Sequence, residues 1–226
     1  MNTSDLRYKA ITAELKSMAN PENVAGMARY GINAANTYGI SIPNLRRLAK
    51  ETGKDHALAQ QLWDSGIHEA RILASLVDQP ELVTERQMEL WVKDFDSWDV
   101  CDGVCSNLFG YTPFAWDKAT EWSKREEEFV KRAGYVLMAR LAVGDKKAPD
   151  EKFLPFFPLI IAGAADERNF VKKAVNWALR QIGKRNDNLL AESTKVGLEL
   201  RHSTSPSARW VANDALREFE KRASKD

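Results

Sequence analysis

Two cysteines in a chain of 226 residues exclude a disulfide framework and a four-thiolate zinc site. Twelve glycines and eight prolines are sparse punctuation for a fold of many short strands, and alternating runs of Val, Ile and Thr are hard to find. No stretch approaches the roughly 20 apolar residues that a membrane span needs. The N-terminal MNTSDLRYKAITAEL carries charges where a signal peptide places its apolar run. An excess of one charge sign is missing too: 33 Lys and Arg face 32 Asp and Glu, a net charge of +1, which rules out a histone-like polycation. Any nucleic-acid surface must come from charge sorted onto one face. These absences leave a reduced, intracellular, soluble protein, expected in the cytoplasm. With 44% hydrophobic and 29% charged residues, it is globular rather than disordered.

Helical spacing runs through the chain. Leu73, Leu76 and Val77 follow Ile72 on one face of EARILASLV. Trp91, Phe95 and Trp98 follow one another at three- and four-residue intervals, and Val130, Ala133, Val136, Leu137 and Leu141 form a third stripe. Breakers fall between these segments at Asn20-Pro21, Ile42-Pro43, Gln79-Pro80, Thr112-Pro113, Ala148-Pro149 and from Pro155 to Pro158. The pattern predicts roughly ten to twelve helices and no strand, an all-α chain.

A repeat lies inside it. EEFVKRAGYVLMARL lines up with ERNFVKKAVNWALRQ, so that Phe129, Val130, Lys131 and Ala133 match Phe170, Val171, Lys172 and Ala174. A fainter copy, SARWVANDALREFE, begins near Ser207, with Ala215, Leu216 and Arg217 echoing Ala178, Leu179 and Arg180. A period of about 40 residues with two or three helices per unit is the signature of HEAT-like repeats. Such units stack into a solenoid, an α-α superhelix with an extended concave surface. No linker or low-complexity segment interrupts the chain, so a single domain over residues 1–226 is expected.

Arg168, Lys172, Lys173, Arg180, Lys184 and Arg185 fall in one segment without an acid among them, and Arg46, Arg47, Lys50 and Lys54 follow a helix start at Pro43. On an inner curved face they would track a phosphate backbone; the plainer reading is a set of solvated helix faces. The densest constellation is DFDSWDVCD, Asp94 to Asp102. On a helix, Trp98 and Asp102 share one face a turn apart, which sets a carboxylate beside a large π surface. Taken singly, Asp102 is equally a helix-end acid and Trp98 a core aromatic. The spacing fails as a calcium loop. Cys101 and Cys105 have no nearby His to complete a metal site and read as small core hydrophobes. No metal and no cofactor are expected. A carboxylate beside an indole suits a cation, including the oxocarbenium-like sugar of glycosidic cleavage. His56, His68 and His202 are scattered and read as structural or surface residues.

PENVAGMARYGI, YGISIPNLRRLAKE, DSWDVCD, EFVKRAGYVLMA and NFVKKAVNWALRQIGKRN together resemble the AlkD-type DNA alkylation repair glycosylases, a family of HEAT-like-repeat proteins, through nearly the whole chain. Ser97 stands where the family pattern often has a second Trp. The resemblance implies that Asp102 is the catalytic aspartate and that Trp98 and Trp177 are aromatics beside the substrate nucleotide. It implies that Arg132 holds the DNA backbone near the lesion and that Tyr30 is an aromatic by the cleft. Arg46, Arg47, Lys131, Lys172, Lys173, Arg180, Lys184 and Arg185 would then contact DNA. The implied activity is monofunctional base excision of purines alkylated at N3 or N7, in double-stranded DNA and without metal or cofactor. No membrane and no obligate protein partner is implied. A non-catalytic HEAT-like module for branched or distorted DNA is the alternative, and a protein-binding scaffold the third reading.

Overall fold

The computed structural model describes residues 3–223. The described residues form thirteen α-helices and three single 3₁₀ turns, with no strand. The chain groups into two compact units, Met1–Thr112 and Pro113–Asp226, and the step between them falls on the Thr112-Pro113 breaker.

The first unit holds α1 (Thr3–Ser17), α2 (Pro21–Ala28), α3 (Ile42–Thr52), α4 (His56–Asp64), α5 (His68–Val77), α6 (Glu85–Lys93) and α7 (Trp98–Asn107). Proline opens α2 and α3, where its missing N–H costs nothing and its fixed φ suits the first turn. Asn20, Asp55 and Thr84 cap α2, α4 and α6 by accepting a backbone N–H. α5 packs between α3 and α7 and against α4. It is buried along most of its length, with Ala70, Ile72, Leu73 and Val77 in the core. The Trp91–Phe95–Trp98 stripe expected on one helix is broken. α6 ends at Lys93, and Ser97, with an extended backbone (φ −154°, ψ 154°), starts α7 at Trp98. Phe95 is spent on the core instead, 6.0 Å from Trp63 and 6.4 Å from Phe109 by ring centroids. Beside it Trp63 and Trp91 stack at 4.1 Å.

The second unit holds α8 (Ala115–Trp122), α9 (Glu128–Gly144), α10 (Phe156–Ala164), α11 (Asn169–Gly183), α12 (Asp187–Arg201) and α13 (Pro206–Ala223). They pair as hairpins α8–α9, α10–α11 and α12–α13, and α11 packs against both α9 and α13. The sequence repeat maps onto this stack. The residues before α9 and α11, Glu127 and Arg168, have nearly the same backbone (φ −65°, ψ 127° and φ −65°, ψ 124°). The matched Phe129 and Phe170 lie ring to ring at 5.6 Å.

Candidate active site

A cleft of about 770 Å³ opens in the first unit, walled by α2, the loop that follows it, the start of α3, and α5 and α7. Its apolar wall comes from residues such as Met27, Ile40 and Ile72; Trp98, Asp99 and Asp102 face it from α7. The loop is shaped by its backbone. Gly39 has φ +77°, and a Cβ there would lie 2.3 Å from the Asn20 carbonyl oxygen, so only glycine fits. The Asn20 N–H donates to the Tyr38 carbonyl at 2.7 Å, and Asn23 Nδ2 to the Gly39 carbonyl at 2.9 Å. The fully buried Glu69 accepts the N–H groups of Tyr38, Gly39 and Ile40 at 2.9, 2.6 and 3.2 Å. Three amide donors satisfy a carboxylate that burial alone would penalise.

Trp98 is half-buried and held by its Nε1, which donates to the Tyr30 carbonyl at 3.0 Å. Asp102, one turn on and half-buried, lines the same cleft. Tyr30 is 73% exposed at the rim, and Arg46 reaches the cleft from α3. Arg47 lies on the same helix, exposed and opposite Glu51 at 3.4 Å. Lys54, counted with this basic group in the sequence, instead donates to the carbonyls of Leu76 and Asp78 at 3.0 and 2.7 Å and finishes α5. Cys101 and Cys105 are buried and form no disulfide.

The cleft also contains a residue that the sequence offered no reason to choose. His68, first in α5, has a side chain 3% exposed and sets Nε2 at 2.8 Å from Asp99 Oδ2, three residues before Asp102. Burial pushes the imidazole pKa down. The hydrogen bond to Asp99 and the charges of Asp99, Glu69 and Asp96 outweigh that and raise it above 6.5. The available signal was positional: His68 and Glu69 are a polar pair opening a mostly apolar helix, where backbone N–H groups need partners.

In the second unit the expected run of excess positive charge is largely matched by acids that lie just before it or on α13. Arg168 pairs with Asp166 at 2.6 Å, and Lys131 reaches the same carboxylate at 3.3 Å. Hydrogen bonding from Arg168, against burial, holds the Asp166 pKa down at about 2. Arg180 pairs with Asp214 and Glu218, and Lys184 with Glu218. Arg185 donates to the carbonyls of Ala142 and Ala148. Arg132 is only 6% exposed and donates Nη1 to the Phe170 carbonyl, so its guanidinium serves the start of α11. Lys172 is half-buried, Lys173 exposed and Trp177 half-buried along α11. Among the described residues, then, Trp98, Asp102, Tyr30 and Arg46 share the cleft of the first unit. Arg132, Trp177 and the other basic residues from Lys131 onward belong to the second.

The family described as DNA alkylation repair enzyme matches residues 11–219. The chain belongs to that family. An uncharacterized protein of Listeria innocua serovar 6a, Lin0241, is 23% identical over 134 residues, which are 58% of this chain and 60% of the Listeria protein. The chain thus spans about 60% of that curated relative. A solved structure described as a new family related to the HEAT-like repeat DNA glycosylases, with affinity for branched DNA structures, is 17% identical with a TM-score of 0.79. The match covers 95% of this chain and 94% of the other. This DNA alkylation repair family member therefore has the all-α, HEAT-like repeat fold.

Proposed function

We propose that the protein is a monofunctional DNA glycosylase acting on purines that carry a positive charge from alkylation at N3 or N7, in double-stranded DNA. The observation that carries the reading is the placing of the Trp98 indole and the Asp102 carboxylate in one cleft, a helical turn apart, in a chain of the DNA alkylation repair family. A cationic purine is already a good leaving group, so no proton donor, metal or cofactor is needed for its departure. What the site must supply is negative charge for the sugar as the glycosidic bond breaks, and an oriented water. Asp102 would do both. A unit charge about 4 Å from the sugar cation contributes about 4 kcal/mol at an effective dielectric near 20. Realised mainly in the transition state, that is about three decades in rate. Trp98, fixed by its bond to the Tyr30 carbonyl, offers a π face to the same positive charge. Tyr30 and Arg46 at the cleft, with Lys172, Lys173 and Trp177 of the second unit, are the proposed DNA contacts.

The test is incubation with methylated duplex DNA and identification of released bases. Wild type should release 7-methylguanine. Asp102→Asn should bind DNA as well but release the base about a thousandfold more slowly; equal rates would remove Asp102 from its role. The second reading, a non-catalytic binder of branched DNA, is favoured by the description of the structural neighbour. Binding without any base release would select it.

A further inference from the structure

Cations without an internal partner are the ones a ligand can use. Of the six between Arg168 and Arg185, three are ion-paired and Arg185 donates to two carbonyls. Lys172 and Lys173 make no ion pair among the described residues, and both stand near the start of α11. Lys172 Nζ lies 5.1 Å from the ring centroid of Trp210 on α13. That indole is 41% exposed, which is unusual for so large an apolar side chain in a well-packed unit. The repeat register explains why these groups meet. The alignment that places Arg217 opposite Arg180 also places Trp210 opposite Lys173, so the two occupy equivalent positions on packed helices. Trp177 follows Lys173 by one turn. Farther along the same seam, Asp214 and Glu218 neutralise Arg180 and Lys184, so the unpaired positive charge gathers at the tryptophan end.

An exposed indole with one ammonium group at its ring and a second, exposed lysine next in sequence has the complementarity of one nucleotide, base on the open indole face and phosphate on lysine. Lysines alone would serve a duplex and a single strand alike. The indole discriminates, because bases inside a duplex already stack on one another and only an unpaired base has a free face. We infer that Trp210, with Lys172 and Lys173, is a docking place for an unpaired nucleotide of a DNA strand, as found at an overhang, a flap or the arm of a branch. The inference rests on reading the chain as a DNA-binding protein and makes no use of Asp102.

The experiment measures binding of the full chain, by fluorescence anisotropy, to a labelled blunt DNA duplex and to the same duplex extended by a single-stranded overhang. Wild type should prefer the overhang. Trp210→Ala should reduce that preference about tenfold with little change for the blunt duplex, and Trp210→Phe should keep most of it. Lys172→Ala combined with Lys173→Ala, which leaves the indole in place, should weaken binding to both DNAs. Equal wild-type affinity for the two DNAs, or an overhang preference that survives Trp210→Ala, overturns the inference. Base release from methylated duplex is measured alongside. An overhang preference without release supports the docking place and counts against the glycosylase reading alone.

Discussion

At the scale of single residues, the pairing of His68 with Asp99 is the cleft's most demanding local arrangement. The folded imidazole has its pKa raised above 6.5, so its protonated form is favoured by folding. That contribution is fully present below about pH 6.5 and fades as pH rises through the raised folded value. His68→Gln, which can donate to Asp99 but cannot titrate, should remove the corresponding part of the pH dependence of stability. Urea midpoints of both proteins from about pH 5 to about pH 9 measure it (roughly 1.5 units below and 2.5 above an ordinary imidazole), and identical pH profiles would contradict the pairing. Arg132 makes a second residue-scale prediction. Its truncation to Ala removes a buried, charge-assisted hydrogen bond between α9 and α11, so stability should fall by about 2 kcal/mol. Both residues show where reading the sequence stopped. Trp98 and Asp102 were legible because a helix brings positions four apart together. The partners of His68 and Arg132 lie 31 and 38 residues away, and no local spacing announces them.

At the scale of elements, repetition was the clearest signal. The alignment of Phe129 to Ala133 with Phe170 to Ala174 placed α9 and α11 correctly, and the weaker third copy placed α13. Acids on one helix neutralising bases on the next were invisible to it: Asp214 and Glu218 belong to α13, while Arg180 belongs to α11 and Lys184 caps its end. The break before α7 was hidden for a different reason. Phe95 and Trp98 keep helical spacing across a turn in which Phe95 faces the aromatic core. Close approach of helices is also written in small residues. A Cβ on Gly134 would sit 2.3 Å from the backbone nitrogen of Ser123 at the end of α8, and backbone cannot rotate aside. Gly134→Ala should therefore cost about 1–3 kcal/mol, although alanine is the better helix former. Thermal or urea unfolding of the variant checks this, and an unchanged midpoint would mean that α8 yields freely.

At the scale of the whole molecule, a net charge of +1 and a basic segment mostly paired internally argue that few groups can displace counterions from DNA. Each phosphate contact adds about 0.9 to the slope of log affinity against log salt. The three proposed cations, Arg46, Lys172 and Lys173, therefore predict a shallow slope, on the order of 3. Lys173→Ala should lower it by about one contact, and Arg132→Ala should leave it unchanged because that guanidinium is engaged within the protein. Titrations at several salt concentrations separate the two; a slope that drops for Arg132→Ala would return that residue to the phosphate backbone. The cleft of the first unit has its own consequence at this scale. Its rim is tied at five points, three on Glu69 and one each through Asn20 and Asn23. These ties join α2, the loop and α5 into one frame, so the mouth cannot loosen strand by strand. Whatever enters must be shaped to an aperture whose outline is settled in advance.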